Sequence, residues 1–442
     1  MRASPGARAH SPPTPDAVAR VTPAPALVEC ATAYARLTAM TSANPAAPDV
    51  SDALPVGDAG FVADPYPAYA QAREIAPLAW HAGLGAYVAT SHAAVSAVLR
   101  ERRLGRIFAD RAPAADWETF NWLHADSILD SEPPKHTRLR RLVAGAFGRG
   151  HVARLAPRIE KLASGLLDAA TDGQAAFDVI EALAEPLPVL VIAELLGVPE
   201  ADRPLLRPWS QAIVKMYEVD RTPEQERDAQ RASREFAAYV AGLAAERAAH
   251  PGDDLLTDLV QARDGGDRLS DHELVATAVL LLNAGHEASV NGFGNGLHSW
   301  LAAGRPAIDV TNPAAVERAV EEFLRHDSPL HLFERTATAD VEVAGVAIAK
   351  GQKAVALLGA ANRDPGVFAD PDVFDPARDP NPHLAFGLGI HFCLGAPLAR
   401  LEMQIALRAL LTRWPASELV STTSRGTFVL RGFEALVIAP RG

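Results

Sequence analysis

The stretch HLAFGLGIHFCLGAPLARLE, residues 383–402, sets one cysteine, Cys393, among Gly387, Gly389 and Gly395 and runs straight into a helical pattern. The chemistry open to such a thiol is that of a thiolate. Backbone N–H groups and the positive end of a following helix stabilise the anion. The glycines allow tight turns and the close approach of a flat partner, and Phe386 is placed to cover the sulfur. A buried core cysteine beside a glycine-rich turn is the plainer alternative.

Other residues join it at spacings that carry chemistry. His136 and Arg140 stand at i and i+4 and so share a helix face. Glu322 and Arg325 stand at i and i+3, the spacing of a helix ion pair. Gly285, His286, Glu287 and Asn291 sit in the middle of the long apolar segment 270–304. Polar groups in a buried helix need partners or a purpose.

These pieces together resemble the cytochrome P-450 family, bacterial soluble class. FGLGIHFCLG matches its haem-thiolate signature, F-x-x-G-x-H-x-C-x-G. EEFLR resembles its E-x-x-R element, HTRLRR its haem-flanking helix, AGHEAS its oxygen-activating stretch, and FERTATADVEVAGVAIAKG the strands that follow E-x-x-R. The resemblance covers roughly residues 60–442. It implies haem b with Cys393 as the axial iron ligand. His136, Arg140, Arg335 and His391 would meet the propionates, with Phe386 and Gly395 against the macrocycle. Glu322, Arg325 and Arg378 would form a structural network that braces the cysteine loop. The implied activity is that of a haem-thiolate monooxygenase inserting one oxygen atom from dioxygen into a small organic substrate, apolar or secondary-metabolite-like.

One position departs from the pattern. The family places an acid and then an alcohol in the central helix; here Glu287 is followed by Ala288, with Ser289 one residue further, about 100° round the helix. Three routes stay open: the substrate orders the catalytic water, Ser289 serves through a helix bulge, or the chemistry is peroxide-driven. Glu287, Ala288 and Ser289 are therefore the catalytic candidates, and a peroxygenase or a non-turnover haem binder are the alternatives to the monooxygenase. Substrate-wall candidates are Trp122, Leu330, Leu332, Phe333, Val429 and Leu430, with His331 placed either to meet a polar substrate group or to serve structure. No flavin or iron–sulfur region remains, so electrons are expected from a separate ferredoxin and its reductase, received near Arg138, Arg141 and Arg149.

The elements that must hold these groups are mostly helical. The 270–304 segment opens with a capping box, Ser270 and Glu273, and is apolar nearly all round, which predicts a central helix. AAVERAVEEFLRHDSP reads as a helix ended by Pro329; ADVEVAGVAIAKGQKAVAL and GTFVLRGFEALVIAP read as strands around turn glycines. The expected fold is mainly α with minor β, a single cytochrome P-450 fold over 59–442. Residues 1–58, rich in Ala and Pro, are expected to be a disordered extension.

Composition agrees. The 442 residues are 48% hydrophobic and 22% charged, with net charge −12, which supports a large core and argues against nucleic-acid binding. Cys30 and Cys393 are too few for a disulfide framework, so a reducing cytoplasm is expected. No segment reads as membrane-spanning.

Overall fold

The central helix forms as Asp271–Ala302. Its capping box closes as the sequence requires: Glu273 N donates to Ser270 Oγ, and Ser270 N donates to the Glu273 carboxylate. Residues on every side of it are buried, from Leu274 to Trp300. It packs against Ala114–Ala125, Pro186–Leu195, Arg203–Val214, Pro223–Ala249 and Pro313–His326. Gly296 permits a close crossing, because a Cβ there would collide with the Phe323 ring of Pro313–His326. Phe293, Leu297, Phe323, Leu407 and Leu410 join these helices in one apolar core.

This computed structural model describes residues 47–144, 149–170, 175–218, 221–262 and 267–441. All of them belong to one contact unit, Ala43–Gly442. Cys30 lies outside the described residues.

The β component is smaller and lies beside the helical core. Strands β1 Leu78–His81, β2 Ala86–Ala89, β3 Leu104–Gly105, β5 Leu332–Ala337 and β8 Lys353–Leu357 form a sheet in the order β1-β2-β8-β5-β3. Only the β2–β8 pair in it is parallel. β4 Phe177–Asp178, β9 Glu418–Ser424 and β10 Phe433–Ala439 form a second sheet, and β6 Val341–Val343 pairs with β7 Val346–Ile348.

Two expectations change. The partner of β10 is β9, whose residues are all exposed and alternate too weakly to be read as a strand. The GTFVLRG stretch is instead a loop that reaches back to the first sheet: Leu430 bridges Leu330, and His331 N donates to Val429 O. At the other end, order begins before residue 59. Asp49 pairs with Trp80, Val50 and Leu54 are each 1% exposed, and Asp58 caps Ala59–Ala63. Two buried aliphatic side chains hold a segment whose proline and alanine content suggested none; residues 1–46 lie outside the described set.

Candidate active site

The cysteine loop is shaped by two glycines in the left-handed region, Gly387 at φ +69° and Gly389 at φ +74°. A Cβ on Gly389 would fall 2.5 Å from Leu99 O, so the loop must be bare there to lie against the helix His92–Arg100. The turn closes when Cys393 N donates to Phe386 O at 3.0 Å. The helix Ala396–Arg413 starts three residues after the sulfur. Burial pushes the Cys393 thiol up; the backbone N–H groups of Gly395 and Ala396, with Arg140 and Arg400, pull it back towards the thiolate. Gly395 itself has an ordinary φ of −80°, and no protein atom lies within 4 Å of where its Cβ would be. The protein alone does not demand glycine there, whereas a flat group lying against the loop would.

Phe386 is held in place. The Arg400 guanidinium lies 4.4 Å above its ring and makes two hydrogen bonds to Glu321, at 2.6 and 2.8 Å. His383 bonds the same carboxylate at 2.9 Å. Burial alone would raise the Glu321 pKa, but these partners hold it at about 2.

Beside the loop the fold gathers basic side chains. His136 and His391 stand with ring centroids 4.4 Å apart, and His391 bonds Glu132 at 2.8 Å. Burial, then His391 and Arg140, draws the His136 pKa down to about 4, and its Nε2 has no partner within the protein. Arg335 is 3% exposed and donates to Glu334 O; burial and Arg106 pull it down to about 9. Asp130 pairs with Arg106 at 3.0 Å, while Arg335 has no ion pair among the described residues. A buried guanidinium and a buried imidazole nitrogen without an acid fit a ligand that brings carboxylates, as the two propionates of haem would. Arg140 reaches the loop itself, donating to Phe392 O at 2.8 Å. Arg106 and Glu132 were missed in the sequence; nothing in their local spacing sets them apart from surface charges.

The three residues expected to form the brace come together. Glu322 and Arg325 are both 0% exposed and pair at 2.7 Å. Arg378 approaches Glu322 at 3.2 Å. On the central helix, Glu287 is buried and paired with Arg425 at 2.6 Å. Ser289 is buried, while Ala284 is exposed and Gly285 and Ala288 are partly accessible in the middle of a helix that is mostly buried. The helix is continuous α through this stretch, so no bulge turns Ser289 towards that face.

The substrate-wall candidates fall in three places. Trp122 stacks on His272, 4.2 Å between centroids and 13° between planes, at the outer end of the central helix. Phe333 sits between Arg106 and Arg335 and against Gly387, beside the cations. Leu330, Leu332, Val429 and Leu430 do come together, in the contact between the loop 426–432 and β5. His331 is structural: it bonds Tyr69 at 2.8 Å, next to an Asp327 that takes Tyr66 and Arg431. A cleft exists elsewhere, walled by Ala114–Ala125, Arg203–Val214 and the central helix, and Leu123, not Trp122, faces it. One residue along a helix is a turn of about 100°, which the sequence alone does not orient. Of the arginines expected to meet a redox partner, Arg138 is already paired with Glu273 and Arg141 has a partner; the Arg149 side chain lies outside the described residues.

Comparison with known proteins agrees with this geometry. The cytochrome P-450 family profile matches residues 309–423, the stretch from the E-x-x-R helix through the cysteine loop. The chain is 39% identical over 408 residues to the cytochrome P-450 monooxygenase PikC of Streptomyces venezuelae, covering 89% of this chain and 95% of PikC. It is 38% identical over 395 residues to 6-deoxyerythronolide B hydroxylase of Saccharopolyspora erythraea, covering 86% and 96%. A crystal structure of P450BioI in complex with an acyl carrier protein bearing hexadec-9-enoic acid superposes with a TM-score of 0.82 at 34% identity, over 86% of this chain and all of that one. Likeness of this extent, along nearly the whole length of its relatives and round the same cysteine loop, makes the chain a member of the cytochrome P-450 monooxygenase family, whose haem iron is bound by a cysteine thiolate.

Proposed function

We propose that this protein inserts one oxygen atom from dioxygen into a small, secondary-metabolite-like organic substrate, using haem held by Cys393 and electrons from a separate ferredoxin and reductase. The catalytic domain would be the folded part of the chain that contains 59–442. Thiolate-ligated haem, when bound, supplies dioxygen activation, the sulfur pushing electron density that favours O–O cleavage.

The residues divide that work. The N–H groups ahead of Ala396–Arg413, with Arg140 and Arg400, favour the Cys393 thiolate against the burial that pushes its pKa up, and deprotonation would be completed on binding iron. Arg335, His136 and His391 anchor the propionates, and Phe386 under Arg400 keeps water from the sulfur. Glu287 holds the proton-delivery position, and Arg425, only 19% exposed at its side chain, links it towards solvent. With Ala288 offering no hydroxyl and a continuous helix keeping Ser289 on the buried side, a hydroxyl or carbonyl of the substrate would order the catalytic water.

The observation that carries this reading is the pairing of a helix-capped cysteine loop with a buried guanidinium, Arg335, and a buried imidazole nitrogen, His136 Nε2, that have no acid partner among the described residues. The test is the spectrum of the dithionite-reduced, haem-loaded protein under carbon monoxide. The strongly red-shifted Soret band of a thiolate complex is expected, and Cys393→Ser should abolish it. A wild-type spectrum without that band, or a Cys393→Ser spectrum that keeps it, sinks the reading. Product formation with a surrogate ferredoxin and reductase, set against hydrogen peroxide alone, then separates the monooxygenase from a peroxygenase.

A further inference from the structure

The helix Lys135–Ala144 carries two of the groups assigned to the propionates, His136 and Arg140, with Arg138 between them. Two steps along a helix turn about 200°, so Arg138 leaves on the far side from that pair. Its guanidinium pairs with Glu273, in the first turn of the central helix. It also donates to Arg268 O at 3.3 Å and lies 3.6 Å from Asp267 Oδ1. Glu273 is buried, and the same carboxylate accepts from Ser270 N in the capping box. One guanidinium therefore grips both the start of the central helix and the segment leading into it.

Little else sets the angle of Lys135–Ala144. Leu139 and Val143 are fully buried, but the helix backbone is not packed closely along any other helix or strand. Lys135 bonds Asp126 at 2.6 Å and Ala125 O at 2.9 Å at the first residue, and Arg140 bonds Phe392 O at 2.8 Å. Apolar burial is non-directional and leaves a helix free to turn about its axis. A guanidinium fork on a fixed carboxylate has direction. Because His136, Arg138 and Arg140 share one short helix, any rotation that Arg138 resists would carry His136 and Arg140 away together.

We propose that Arg138 is a positioning residue for haem and not a contact for a redox partner: its ion pair with Glu273 sets the angle at which His136 and Arg140 are presented, which links haem retention to the start of the central helix. This rests on the haem-thiolate reading above. The experiment follows transfer of haem from the ferric protein to excess apomyoglobin. Arg138→Gln and Glu273→Gln each remove the ion pair, and glutamine at 273 keeps the capping box. Each should lose haem roughly fivefold faster than wild type, the low end of coupling between linked sites. The double variant should lose it no faster than either single one, because the two side chains act as one pair. Arg247→Gln breaks the ion pair Arg247–Asp254 elsewhere in the fold, and it should lose haem at the wild-type rate, which separates positioning from a general loss of stability. The proposal is overturned if Glu273→Gln keeps haem as wild type does, if the double effect is the product of the single ones, or if Arg247→Gln matches them. The carbon monoxide spectrum separates the two readings: a wild type without the thiolate band faults the haem assignment, and an intact band with unchanged haem loss in Glu273→Gln faults Arg138 alone.

Discussion

Two buried polar regions of this molecule are built on opposite rules. Behind the cysteine loop, all five Arg325 N–H donors are used: Nε and Nη2 on Glu322, Nη1 on Asn362 O and Pro371 O, and Nη2 again on Val373 O. Glu322 accepts from Asp375 N and Asn381 Nδ2 as well. Along the central helix the reverse holds. Thr277, Asn283, His286, Asn291 and Asn295 are each buried, and each has at least one polar atom without a partner in the protein. A saturated network fixes one backbone path, here that of the segment leading into the cysteine loop. The unsaturated row runs along the central helix, and its cost in stability is carried by the apolar core around it.

The largest effect should come from breaking the saturated side. Glu322→Ala leaves Arg325 charged, 0% exposed and without its main partner, which costs roughly 3–5 kcal/mol. The variant should purify with little haem and unfold at clearly lower urea. Normal haem content and an unchanged urea midpoint would mean the brace is not what holds the loop.

A smaller effect, confined to acid, should come from the unsaturated side. Burial, opposed by Glu287, draws the His286 pKa from 6.5 to about 4. The folded protein therefore refuses a proton that the unfolded chain accepts below 6.5. This contribution to stability is complete above that pH and is lost progressively as pH falls from 6.5 towards 4, by up to about 3 kcal/mol. His286→Gln should flatten this part of the pH dependence when urea midpoints are compared across the range. Identical slopes in the two proteins would place the imidazole in a better-solvated setting than the fold indicates.

The smallest effect on stability should follow Ala288→Thr, within about 0.7 kcal/mol, since only helix propensity changes at a partly accessible site. Its effect on chemistry sharpens the contrast. With the best substrate found by spin-state screening, the added hydroxyl should compete with the substrate's own group, so that product formed per reductant consumed changes. Unchanged coupling and rate would remove the basis for substrate-ordered water.

The brace and the thiolate loop were legible in the sequence because their parts are local: an i, i+3 pair, a glycine pattern within ten residues, a helix that follows at once. The central helix was legible for the same reason, from its capping box and unbroken apolar run. Which side of Ala114–Ala125 faces the cleft was not. Trp122 and Leu123 differ by one step along Ala114–Ala125, and which of them faces inward depends on helices far away in the chain. The strand β9 was missed because every residue in it is exposed and only its pairing with β10 makes it a strand.

The sequence by itself determined the haem-thiolate family resemblance, the mainly helical class and the identity of the sulfur, because each rests on residue types at short, fixed spacing. Tertiary structure alone decided that Arg425 takes Glu287, that Arg106 and Glu132 join the cationic edge, and that Asn283 faces a cleft. Those partners lie tens to hundreds of residues apart, and only the packed core, by excluding water from the groups it encloses, makes their pairing or lack of it energetically decisive.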